Sequence, residues 1–237
     1  MSTLVKVARY HLVQPFQYLA LTWMVLAFSF AVNVIIFGIT PVDHHAALTA
    51  GTDGRSTGAL SSFFILFLVL GVQSIGRSLP FGLALGVSRR SYYMGTALLA
   101  VVLACADGLA LAALQAVERA TGGWGVQMGF FRVPYLLDGP WYLTWLTSFV
   151  GLTLLFVYGM WFGIVYRRWS LVGTLTFIAA QVTVLLAAAL VVTWSHGWTG
   201  VGHFFTGLTA AGLTGVLALL AVVLLAGGHA TIRRATV

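Results

Sequence analysis

Four stretches of the chain contain no Asp, Glu, Lys or Arg, at residues 10–42, 56–76, 139–166 and 169–232. About 20 apolar residues suffice for a helix to cross the hydrocarbon core of a bilayer, so each stretch is long enough to span it, and the last can span twice with a turn between. Residues 91–117 form one more apolar run, broken only by Asp107. The pattern therefore predicts an all-α membrane protein with six transmembrane helices, at 16–37, 58–75, 94–117, 141–166, 170–194 and 205–227, in a single transmembrane domain filling 1–237. Ahead of the first span, winding residues 3–13 as a helix puts Leu4, Val5, Val7, Ala8 and Leu12 on one face and Lys6, Arg9 and Tyr10 on the other. Such a helix lies in the headgroup layer, and Pro15 ends it.

The connections differ in chemistry. Gly38 to Thr57 is rich in turn formers. Ser78 to Gly95 is short and basic: Pro80 suits a first helical turn, Gly86 a helix end, and Ser88 a cap for the following helix. That predicts a helical elbow between spans two and three. The segment Glu118 to Pro140 carries Trp124, Phe130, Phe131 and Tyr135, and is expected at the outer interface. Ser195 to His203 is expected as a plain Gly-rich turn. In span six, Gly207, Ala211 and Gly215 recur every four residues and predict a small face for close helix packing.

Charge sets the orientation. The chain is 60% hydrophobic, 7% charged and formally +7. With both termini cytoplasmic, Lys6, Arg9, Arg77, Arg89, Arg90, Arg167, Arg168, Arg233 and Arg234 lie inside, and only Arg55, Arg119 and Arg132 outside. Positive residues favour the cytoplasmic side, so the multi-pass chain is expected with both ends inside. The basic excess thus follows topology and does not point to nucleic acid. Cys105 is the only cysteine, which excludes an intrachain disulfide.

Several chemistries are excluded by missing residues. The only lysine is Lys6, in Val-Lys-Val, so no phosphate loop ending in Gly-Lys-Ser/Thr exists. The only glutamate is Glu118, which removes a His-Glu-x-x-His zinc site. His44 and His45, with Asp43, Asp53, His196 or His203, have no recognised metal spacing. The chain is accordingly not expected to be an enzyme or to hold a cofactor of its own. Within the spans, Asn33, Asp107 and Gln181 are expected nearest the midplane. An intramembrane acid is costly, so Asp107 should face the bundle interior, as a substrate-path residue, a proton carrier or a tie between helices.

The segment Gly86-Val87-Ser88-Arg89-Arg90-Ser91-Tyr92-Tyr93-Met94-Gly95, set between spans two and three of six, resembles the corresponding segment in permease subunits of type-2 ATP-binding-cassette exporters, small actinobacterial members in particular. The resemblance implies a coupling helix that docks on a separate ATPase subunit, which would bind ATP and Mg. It also implies a second permease copy or homologous permease as partner. On that basis Phe81, Leu83 and Leu85 would form the apolar contact with the ATPase, Ser88, Arg89 and Arg90 its polar hinge, and Asn33, Asp107 and Gln181 the substrate path. Tyr92 and Tyr93 are expected to anchor the elbow at the membrane face. Apolar spans with sparse polar groups suit an amphipathic or lipid-like cargo: a drug, a peptide antibiotic or a lipid. A proton-coupled carrier using Asp107 and a membrane scaffold or sensor are the competing expectations.

Overall fold

The computed structural model describes residues 20–39, 57–84, 86–133, 137 and 139–234. The predicted N-terminal interfacial helix, most of the Gly38 to Thr57 connection with its two histidines, and Leu85 lie outside the described residues. The described chain is all-α. In order come α1 (Leu21–Ile39), α2 (Ser61–Gly76), α3 (Leu79–Ala84), α4 (Arg89–Ala120), α5 (Trp141–Trp194), α6 (Trp198–Gly207) and α7 (Ala210–Arg234). A 3-10 turn at Gly58–Leu60 leads into α2. With that turn included, five of these helices are long and apolar enough to cross a membrane. Their outward faces are apolar too: Phe28 is 71% exposed, Val172 74% and Leu219 67%. Hydrocarbon tolerates such a surface and water does not, so this is a membrane protein.

The longest helix does not run straight. Its 54 residues would extend about 81 Å at 1.5 Å per residue, more than twice a bilayer core. At Ser170 the backbone turns to φ 55° and ψ −154°, outside the helical region. Side chains equidistant from that point then meet: the rings of Phe162 and Phe177 lie 5.3 Å apart, and the Tyr158 hydroxyl donates to the Gln181 side-chain oxygen. α5 is therefore a hairpin of two limbs, 141–169 and 171–194, folded at one residue.

The first limb is the centre of the molecule. It crosses α2 so closely that a Cβ at Gly71 would strike the Phe156 carbonyl, and one at Gly159 the Leu68 carbonyl. Gly163, one turn further on, lies against Val72 and Ile75. Without a hydrophobic drive between helices in lipid, backbone approach of this kind supplies the contact. Phe63, Phe67 and Phe156 pack beside the crossing, with ring centroids 5.6 and 6.5 Å apart. α7 closes the other side: the Thr147 and Thr214 hydroxyls meet at 2.8 Å, and the Trp161 indole N–H donates to the Leu224 carbonyl at 2.9 Å.

Two sequence expectations are corrected here. The small face of span six does not pack: Gly207, Ala211 and Gly215 are exposed, and a Cβ on either glycine would meet nothing within 4 Å. Close packing uses Gly71, Gly159 and Gly163 instead, because Gly207 ends α6 while Ala211 and Gly215 belong to α7, so the three do not share one helix face. The expected plain turn after span five also contains a ten-residue helix, α6, and the apolar helix that follows starts at Ala210.

Burial is uneven around this core. α1 buries only Thr22 and Leu26, and no described side chain between 166 and 209 is buried. α1 and the second limb are thus shallowly seated helices around a tightly packed α2, α4 and first limb.

Candidate functional site

The elbow is built by local rules and then fastened. Pro80 sits in the first turn of α3, where its missing N–H costs no hydrogen bond. Gly86 takes φ 78°, a left-handed conformation that favours glycine, and the Val87 N–H donates back to the Gly82 carbonyl at 3.1 Å. Ser88 then caps α4, its Oγ accepting from the Ser91 N–H at 3.2 Å.

Tyr92 and Tyr93 hold the elbow from inside the bundle rather than from a lipid-facing surface. They are 0% and 1% exposed. The Tyr92 hydroxyl donates to the Ser74 carbonyl at 2.6 Å, and its ring lies so close to Gly82 that a Cβ there would come within 2.6 Å of it. The Tyr93 hydroxyl donates to the Leu225 carbonyl at 3.1 Å. The pair therefore ties the elbow to the end of α2 and to α7. Of the residues expected to face a partner, Leu83 is half-buried against the core, while Ser88 and Arg90 are exposed and Arg89 partly so. α3 carries Phe81 in its backbone.

The three expected path residues each bond elsewhere. Asn33 accepts from the Thr57 hydroxyl at 2.9 Å, level with the start of α2 and the outer segment, since the Thr57 N–H also donates to the Gly129 carbonyl at 3.1 Å. Gln181 bonds Tyr158 across the α5 hairpin. Asp107, 4% exposed, accepts from the Trp23 indole N–H at 3.0 Å and so joins α4 to α1. None of the three bonds to another. Among the described residues no three His, Cys, Asp or Glu side chains gather as a metal site.

A second buried carboxylate anchors the outer segment. Glu118, 1% exposed at the end of α4, accepts through Oε2 from the Phe130 and Phe131 N–H groups at 2.9 Å and the Trp124 indole N–H at 3.1 Å. Its Oε1 accepts from the Arg132 N–H at 3.2 Å. Arg119 donates to the Gly139 carbonyl at 2.8 Å, and the Gln115 side chain to the Leu137 carbonyl. The chain between α4 and α5 is thereby folded into a cap. Phe30 of α1 plugs into it, 5.0 Å from the Trp124 ring and 5.3 Å from Phe130. The aromatic crowding was a visible signal for an interfacial segment. The role of Glu118 was not visible, because its donors are mainly backbone amides.

What the geometry offers is mechanical. A short apolar helix, flanked by Arg77, Arg89 and Arg90, is fixed to the ends of two long ones, and α1 is tied to α4 at the level of Asp107 and to the cap at the level of Phe30. No protein-family model, curated protein or solved structure matches the chain.

Proposed function

We propose that this chain is the permease subunit of a type-2 ATP-binding-cassette exporter in a bacterial plasma membrane. With each limb of the α5 hairpin counted as a span, the chain would make six crossings, with both termini and the elbow on the cytoplasmic side. The observation that carries the proposal is the elbow itself: α3 is joined without slack to α2 and α4 and clamped by Tyr92, so a push on α3 is transmitted to both helices. The chain has no phosphate loop, so ATP and Mg would be bound by a separate ATPase subunit, and two permeases, identical or homologous, would assemble with it. Closure of the ATPase pair would supply the difference in binding energy that shifts the spans between inward- and outward-open arrangements. Phe81, Leu83 and Leu85 would give the docking contact its apolar part and Ser88, Arg89 and Arg90 its polar part. Asn33, Asp107 and Gln181 would border the route of an amphipathic or lipid-like cargo.

Copurification tests the proposal. The chain, expressed with its genomic neighbours, should bring down an ATPase subunit, and Arg90→Glu should abolish that association while leaving the permease folded. Recovery of no nucleotide-binding subunit, or ATP-driven transport untouched by Arg90→Glu, overturns it. A proton-coupled carrier is the second reading, favoured by the lone acid Asp107; transport that collapses with the proton gradient and persists without ATP would select it.

A further inference from the structure

The two buried carboxylates of the described bundle are provided for in opposite ways. Glu118 takes four donors across its two oxygens, enough to satisfy an anion without a counter-charge. Asp107 takes one. Trp23 donates to its Oδ1, and no hydrogen bond reaches Oδ2 from any described residue. Nor can a basic side chain come from the apolar lengths around it, since residues 10–42, 56–76, 91–117, 139–166 and 169–232 contain no Lys or Arg. A carboxylate left in hydrocarbon without donors or a counter-ion is strongly disfavoured, so Asp107 is neutralised from outside the described residues, by a proton or by a cation that takes its place.

Its surroundings show from where. On α4 the neighbouring Cys105, Ala106 and Leu109 face outward, so Asp107 lies at the border of the lipid-facing surface, covered by Trp23 of α1. α1 is the shallowly seated helix, with two buried residues, and Trp23 packs edge-on against Phe63 at 5.6 Å. A carboxylate with an open oxygen behind a tryptophan on a loosely held helix suits one ligand chemistry. We propose that Asp107 and Trp23 form a binding site for an organic cation with an apolar body, entering from the bilayer between α1 and α4. The cationic group pairs with Asp107 Oδ2, and the indole face adds a cation–π contact. As a statement about cargo this rests on the exporter proposal and narrows its amphipathic substrates to cationic ones; as a binding site it does not need the ATPase.

Tetraphenylphosphonium is the probe, with tetraphenylborate as an anion of the same shape. Binding is measured by equilibrium dialysis to the full chain in lipid nanodiscs, without any ATPase. Saturable tetraphenylphosphonium binding above that of protein-free nanodiscs is expected, absent for tetraphenylborate measured separately, kept in Asp107→Glu and weakened about tenfold or more in Asp107→Asn, the size of a single desolvated charge contact. Trp23→Leu should weaken it less. Equal binding of the two tetraphenyl ions to the wild-type chain, or unchanged binding in a folded Asp107→Asn, overturns the site. The ion comparison needs no variant, so it decides even where Asp107→Asn misfolds. Absence of a copurifying ATPase would remove the exporter proposal alone, and absence of cation binding would remove this site alone.

Discussion

Glu118 shows how much of the cap depends on one side chain. Three backbone N–H groups and the Trp124 indole converge on its carboxylate in a site with almost no exposure to water. Glu118→Gln replaces one acceptor oxygen with an NH2 that faces donors, leaving at least one N–H unsatisfied. The cost should be roughly 2–4 kcal/mol, concentrated in the cap because no helix pair depends on it. Trypsin added outside right-side-out vesicles checks this. Arg132 should resist cleavage in the wild-type chain and be cut readily in Glu118→Gln, with the helix content of the two unchanged. Equal resistance would mean that the cap holds without the carboxylate. Tyr92 and Tyr93 make the complementary point. A tyrosine pair beside two arginines suits a headgroup belt and also suits hydroxyl-to-carbonyl bonds inside a bundle, and only the position of Ser74 and Leu225 distinguishes the two.

At the scale of elements, the long helices were legible because lipid imposes a simple demand, a long run with at most one charge, and α2, α4 and both limbs of α5 fall on the expected runs. The elbow was legible because Pro80, Gly86 and Ser88 have conformational preferences of their own. Contacts between helices were not. Gly159-x-x-x-Gly163 and Gly207-x-x-x-Ala211-x-x-x-Gly215 present the same spacing, yet one sits against α2 and the other is bare. A graded outcome follows for variants. Gly159→Ala should cost about 1–3 kcal/mol by forcing α2 away from the first limb, whereas Gly215→Ala should be close to neutral. Unfolding of the purified chain in mixed micelles measures both, and equal effects would remove the distinction. Ser170 gives the opposite sign. It holds a positive φ that non-glycine residues rarely adopt, so Ser170→Gly should stabilise the hairpin by about 1 kcal/mol in the same assay, the strain of such a residue being of that order.

For the whole molecule, what matters is whether the bend at Ser170 returns the chain to the other side of the membrane. The contacts of Phe162 with Phe177 and of Tyr158 with Gln181 bring the two limbs together, and each limb, at well over 20 residues, can cross a bilayer on its own. The apex carries Arg167 and Arg168, and the far end of the second limb carries Ser195 and His196 without a basic residue nearby. The positive-inside bias then predicts the apex in the cytoplasm and residue 195 outside. Cys105 is exposed and must first be replaced, by Cys105→Ser, to give a silent background. In that background Arg168→Cys and Ser195→Cys place single thiols at the two ends of the second limb, both at exposed positions. A membrane-impermeant maleimide added to intact cells should label the thiol at 195 and not that at 168; permeabilising the cells should expose both. Labelling of both from outside would mean that the second limb lies along the surface. Labelling of 168 alone would invert the orientation and move the elbow outside, where no ATPase could reach it.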